Sequence, residues 1–133
     1  MNVVIDTNIF ISGFFWKGTP NKILDLWRQG IIQNIISDLI IEEVRSVLNN
    51  KFINAPDILR EEIIGIILSN SVMVYPKQKY DLVRDVSDNK FIEAAVEGRA
   101  TYIISGDRDL LSISRVHNIA IVSPSEFLKN YKT

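Results

Sequence analysis

Met1 to Ile11 reads MNVVIDTNIFI, and the fold follows from this stretch. Val3, Val4 and Ile5 form a short β-branched run, the composition of a buried strand, and Asp6 ends it. Tyr102 to Asp107, YIISGD, has the same form: an apolar strand, two small residues, then an aspartate. If the two strands are parallel neighbours, Asp6 and Asp107 meet at their C-terminal ends, the edge where open α/β sheets build sites. Carboxylates brought together repel, and a shared proton or a divalent cation reconciles them.

Outward from these strands the pattern alternates. Asn2 to Ile5 is a strand, and Ser12 to Gly18 a loop holding Phe14, Phe15 and Trp16. Thr19-Pro20 opens a helix that runs to about Gln29, and Gly30 stops it. Asn34 to Ser37 is a short second strand. The next helix carries Leu39, Ile40, Val44, Val47 and Leu48, and a turn-rich break spans Asn49 to Pro56. Asp57 opens a helix whose apolar side is Ile58, Leu59, Ile63, Ile66 and Ile67. A third strand covers Ser71 to Tyr75, followed by a polar loop to Val86 and a helix from Asp88 to Glu97. Tyr102 to Ser105 and Ile119 to Val122 are the last strands, with a short helix from Asp109 to Ile113 between them and a terminal helix over Pro124 to Asn130. Repeated βα units predict an α/β fold with a parallel sheet and helices on both faces. A chain of 133 residues without a linker or repeat is expected to form one domain over 1–133.

Composition narrows the function classes. Hydrophobic residues make up 47% and charged residues 23%, a globular balance. The formal net charge of -1 gives no broad cationic surface for nucleic acid, so any such contact must be local. The absence of Cys excludes disulfides, zinc–thiolate sites and thiol catalysis, and fits a reducing compartment. A strand starting at residue 2 leaves no room for a leader, and no apolar run approaches the ~20 residues of a membrane span, so a cytoplasmic location is expected. His117 is the only histidine, in a polar loop, which argues against a histidine triad. No glycine-rich phosphate loop is present.

Two further acids break the apolar pattern. Glu43 is in line with Leu39 and Val47, a slot expected to face the sheet; the bland alternative is a carboxylate reaching to water or to a Lys or Arg. Asp88 begins the line of Ile92 and Val96. Asp85-Val86-Ser87-Asp88 also has the spacing of a capping box, with Asp85 the better cap and Asp88 the better site residue. Asp109 reads as the cap of the short helix, which leaves Asp107 as the ligand candidate. Asp6 has an Asx-turn alternative with Thr7 and Asn8. An all-oxygen set of acids favours Mg²⁺ or Mn²⁺, ions suited to phosphodiester hydrolysis.

Four pieces in order, VVIDTNIFISG at Val3–Gly13, EEVRSVL at Glu42–Leu48, DVSDNKFIEAA at Asp85–Ala95 and YIISGDRDLL at Tyr102–Leu111, give a chain that resembles the PIN-domain family. The likeness is to its toxin-type, VapC-like members from prokaryotic toxin–antitoxin systems. This resemblance implies a three-layer α/β/α sandwich with a five-stranded parallel sheet, and Mg²⁺- or Mn²⁺-dependent cleavage of RNA. It implies Asp6, Glu43, Asp88 and Asp107 as the acids, with Ser105 orienting Asp6 and Asn8 supporting the same corner. It also implies a cognate antitoxin partner and a homodimer. RNA affinity would come from local residues such as Lys17, Lys22, Arg28, Lys90, Arg99 and Arg108. A receiver-like phosphoacceptor is a weaker match, because the third strand ends in Tyr75-Pro76 and Ser123-Pro124 follows the last. A non-catalytic binding module, using Phe14, Phe15 and Trp16 as an aromatic patch, is the other alternative.

Overall fold

The computed structural model describes residues 1–50 and 55–131. Part of the expected break at Asn49 to Pro56 therefore lies outside the described residues. The elements are β1 (Asn2–Ile5), α1 (Thr7–Phe15), α2 (Thr19–Arg28), β2 (Gln33–Ile36), α3 (Asp38–Leu48), α4 (Asp57–Ser69), β3 (Ser71–Met73), a 3₁₀ turn (Val86–Asp88), α5 (Asn89–Glu97), β4 (Tyr102–Ile104), α6 (Arg108–Leu111), β5 (Arg115–Val116), β6 (Ile119–Val122) and α7 (Pro124–Asn130).

The sheet has the order β3-β2-β1-β4-β6-β5. Five strands are parallel, and β5 adds a two-residue antiparallel edge on β6. Six strands rather than the expected five are the result; so short an edge strand carries no periodic signal. Val3, Val4 and Ile5 pair with Tyr102, Ile103 and Ile104, so β1 and β4 are neighbours and end together. The chain steps from β1 to β2 to β3 in one direction, then returns to β4 and continues to β6. Right-handed crossovers therefore put α1 to α4 on one face and α5 on the other. The packing agrees: α1 contacts α2 and α3, α3 contacts α4, and α5 lies on β1, β2 and β4. The reversal of strand order falls between β1 and β4, the place where such sheets open a crevice.

Four expectations change. The loop expected at Ser12 to Gly18 is helical as far as Phe15. Phe10 and Phe14 set their rings against Trp27, at centroid distances of 5.3 and 6.3 Å, and this packing stabilises a helix of modest intrinsic propensity. Gly13 permits the approach of α2, since a Cβ there would come within 2.6 Å of Leu24 Cδ1. Only Trp16 of the aromatic triplet is well exposed, at 58%; Phe14 and Phe15 pack on the core. On α4 the inward residues are Ile63, Ile64 and Ile67, while Ile58 and Ile66 face outward. The third strand stops at Met73, two residues early.

Asn34 is wholly buried in β2 and ties three strands together. Its Oδ1 accepts the Ile5 amide at 3.2 Å, and its Nδ2 donates to Ser71 Oγ at 3.0 Å. The residue just before Asp6 is thus held from the side by a side chain.

Candidate active site

Asp6 is 4% exposed and takes the N-cap position of α1. Its amide donates to the Ile104 carbonyl at 3.0 Å, which continues the β1–β4 pairing by one step. Ser105 Oγ donates to Asp6 Oδ2 at 2.6 Å and accepts the Asp107 amide at 3.0 Å. One hydroxyl therefore links the two strand-terminal aspartates. Asn8 contributes its backbone amide, 3.4 Å from Asp6 Oδ1, while its side chain is exposed.

Asp107 is the N-cap of α6 and accepts the Leu110 amide at 3.1 Å. This corrects the expectation that Asp109 would cap that helix. The strand ends one residue before Ser105, and the turn brings Asp107, not Asp109, to the cap. Asp109 lies in the first turn of α6, two residues past the cap, and is not among the charges acting on Asp6 or Asp88. Asp88 occupies the N-cap position of α5 without a side-chain capping bond. Asp85 does cap the 3₁₀ turn, accepting from the Ser87 amide and hydroxyl. Asp6, Asp88 and Asp107 thus all stand at helix N-termini, where backbone dipoles present partial positive charge.

Glu43 takes the alternative placement, a carboxylate at the edge of the stripe paired with a lysine. The inward residues of α3 are Ile40, Ile41, Val44 and Leu48, and Leu39 is half exposed. Glu43 lies at the edge of that stripe, where its Oε2 meets Lys90 Nζ at 2.6 Å. The local cation at Lys90 is accordingly turned inward rather than offered to a polyanion. Arg28, a second expected cation, pairs with Asp25 at 3.1 Å.

Asp6 and Asp88 feel the acids around them. Burial pushes the Asp6 carboxyl above its usual range; the bonds from Ser105 and Asn8 oppose this, and the charges of Glu43 and Asp107 add to it. Burial also pushes Asp88 up to about 7, with the charges of Asp85, Asp107, Asp6 and Glu43 reinforcing it. Asp88 therefore keeps its proton in the folded chain over a range in which the unfolded chain, with a carboxyl near 3.8, has lost it. Folding stability then falls as pH rises from about 4 through about 7. In EDTA, Asp88→Asn is expected to melt above the parent at pH 8, with the gap narrowing by pH 5. Paired thermal melts check this; a parent that gains stability relative to the variant toward pH 8 contradicts it.

The donor chemistry fits a hard divalent cation: carboxylate oxygens, with those of Asp6 deeply buried. Yet among the described residues no group of three or more His, Asp or Glu side chains is arranged to hold a metal ion. Glu43, one of the four acids, is engaged by the ammonium of Lys90.

Three features of the site escaped sequence reasoning. Asn89, Glu93 and Glu97, four apart on α5, staple the preceding loop. Asn89 Oδ1 accepts the amides of Leu82 and Val83, Glu93 Oε2 that of Tyr80 and Glu97 Oε1 that of Lys77, at 2.9 to 3.0 Å. Their spacing was the available signal. Asn34 and the inward turn of Lys90 are the other two.

The comparisons agree with this architecture. A chain of the crystal structure of VapBC2 from Rickettsia felis bound to a DNA fragment from its promoter superposes with a TM-score of 0.59. The match covers 92% of this chain and 98% of that chain, and at 14% identity it speaks for the fold alone. The uncharacterized protein MJ1680 of Methanocaldococcus jannaschii is 36% identical over 146 aligned positions, covering 99% of this chain and 92% of that protein. The sequence model of the PIN domain matches residues 2–109, a span that takes in Asp6, Glu43, Asp88 and Asp107. With its order of strands, its pair of linked strand-terminal aspartates and this match, the chain belongs to the PIN domain family.

Proposed function

We propose that this chain, as one domain over 1–133, is a Mg²⁺- or Mn²⁺-dependent endoribonuclease, the toxin member of a toxin–antitoxin pair. The observation that carries the reading is the Asp6–Ser105–Asp107 linkage at the reversal of the sheet, with the charge of Glu43 acting on both Asp6 and Asp88 and those of Asp6 and Asp107 acting on Asp88. PIN domains are generally nucleases and usually use divalent metals, which supports the chemistry. The fold shared with a VapBC2 chain supports a cognate antitoxin as partner. Among the described residues no helix is long and apolar enough to cross a membrane, in keeping with work in the cytoplasm. A homodimer belongs to the same proposal.

Asp6, Asp88, Asp107 and Glu43 would hold the ion. Bound there, it supplies Lewis-acid stabilisation of the phosphate and activates water near neutral pH. Ser105 fixes the rotation of the Asp6 carboxylate, and Asn8 sets its cap through the backbone amide. Asp85 holds the turn that carries Asp88 to the pocket. Asp109 supports only through α6, the helix that Asp107 caps. Asp88 would have to be deprotonated to serve as a ligand.

Purified protein is expected to cut a mixed pool of structured and single-stranded RNA, to stop in EDTA, and to resume when Mn²⁺ is added in excess. Cutting that persists in EDTA, or no cutting by folded, partner-free protein with either ion, overturns the proposal.

A further inference from the structure

Lys90 is 9% exposed at its side chain, yet its ammonium is held against the carboxylate of Glu43, one of the four acids. Its Nζ donates to Glu43 Oε2 at 2.6 Å and to the Ser87 carbonyl at 2.7 Å, and it lies 5.2 Å from the centre of the Phe91 ring. A charge so enclosed is tolerable only with close partners, so Lys90 and Glu43 hold each other in place. Among the described residues, Glu43 is the only one of the four acids with an ion-pair partner. Asp6, Asp88 and Asp107 keep their oxygens turned to hydroxyl and amide donors or to none.

We infer that Lys90 is a built-in counter-cation that competes with the divalent ion for Glu43. The inference rests on the reading of Glu43 as an ion ligand. While the ion is away, the ammonium neutralises Glu43 and keeps α3 and the start of α5 together. For Glu43 to join the ion, the pair must open, and the flexible four-carbon stem of lysine lets Nζ withdraw along the Ser87 side. The competition is reciprocal: whatever Lys90 takes from ion affinity, the ion takes from the Glu43–Lys90 pair.

The test is Mn²⁺ binding, read by the electron paramagnetic resonance of free Mn²⁺, on the parent, Lys90→Met, Lys90→Arg, Glu43→Gln and the Lys90→Met/Glu43→Gln double variant. Lys90→Met is expected to tighten binding by about tenfold, the scale of an ordinary coupling between sites. The same variant should melt at a lower temperature in EDTA. Lys90→Arg keeps a cation at Glu43 and should bind no tighter than the parent, which keeps the comparison decisive if Lys90→Met folds poorly. On the Glu43→Gln background, removing Lys90 should change affinity little. Binding that is unchanged or weaker in Lys90→Met, or tighter in Lys90→Arg, overturns the inference. Tighter binding in Lys90→Met by a protein that cuts no RNA supports it and sinks the nuclease reading instead. A parent that binds no Mn²⁺ sinks both.

Discussion

Asp6→Asn is expected to lower RNA cleavage by about a hundredfold to a thousandfold, the scale of losing one preorganised charged group at a reacting centre. The same variant should melt at or above the parent temperature in EDTA. Asn caps helices as well as Asp, so α1 keeps its first turn. The neutral amide also escapes the burial and the Glu43 and Asp107 charges that push the Asp6 carboxyl upward. Activity and stability moving in opposite directions is the signature of a residue retained for chemistry at a structural cost. Cleavage and melting measured on one preparation check it; retained cleavage, or a large loss of stability, removes Asp6 from the machinery.

The second large effect is on stability and lies away from the acids. Asn34→Leu leaves the Ile5 amide and the Ser71 hydroxyl without their partner inside the sheet. The unmet buried amide costs about 1–3 kcal/mol and the half-buried Ser71 hydroxyl adds less, so about 2–4 kcal/mol together is expected. For a chain of this length that is a fall in melting temperature of roughly 10 °C. Asn34→Asp is a sharper probe, since it keeps the acceptor for Ile5 and loses the donor to Ser71. A melt of Asn34→Leu within a degree or two of the parent refutes this account of β1.

What could be read from the sequence was local. The β-branched runs before Asp6 and Ser105 announce strands, and the aspartates at their ends announce the edge of a sheet. Helix α3 was recognised but not its rotation. Apolar residues at 39, 40, 41, 44, 47 and 48 cover a wide arc, and only the partner surface decides that Ile41 and Val44 go in while Leu39 stays out. Glu43 consequently moved from the stripe to its edge. Lys90 read as one more exposed cation because its partner is 47 positions away, beyond the reach of any periodicity. Helix α1 hid for a related reason: its β-branched and aromatic composition favours a strand or loop until Trp27 is there to pack against. Asn34 did leave a trace, an amide side chain in a strand with Ile on the following two positions.

The stapled loop before α5 has a consequence for motion. Residues 77 to 83 make no helix or strand, yet four of their amides end on side chains of one helix. Releasing any stretch of that loop means giving up acceptors spaced along α5, so loop and helix open as a single cooperative unit. Their amides should share one exchange rate with solvent, set by the fraying of α5, instead of the spread of rates usual along an irregular segment. Asp88 begins that helix, so the acid pocket inherits the same clock.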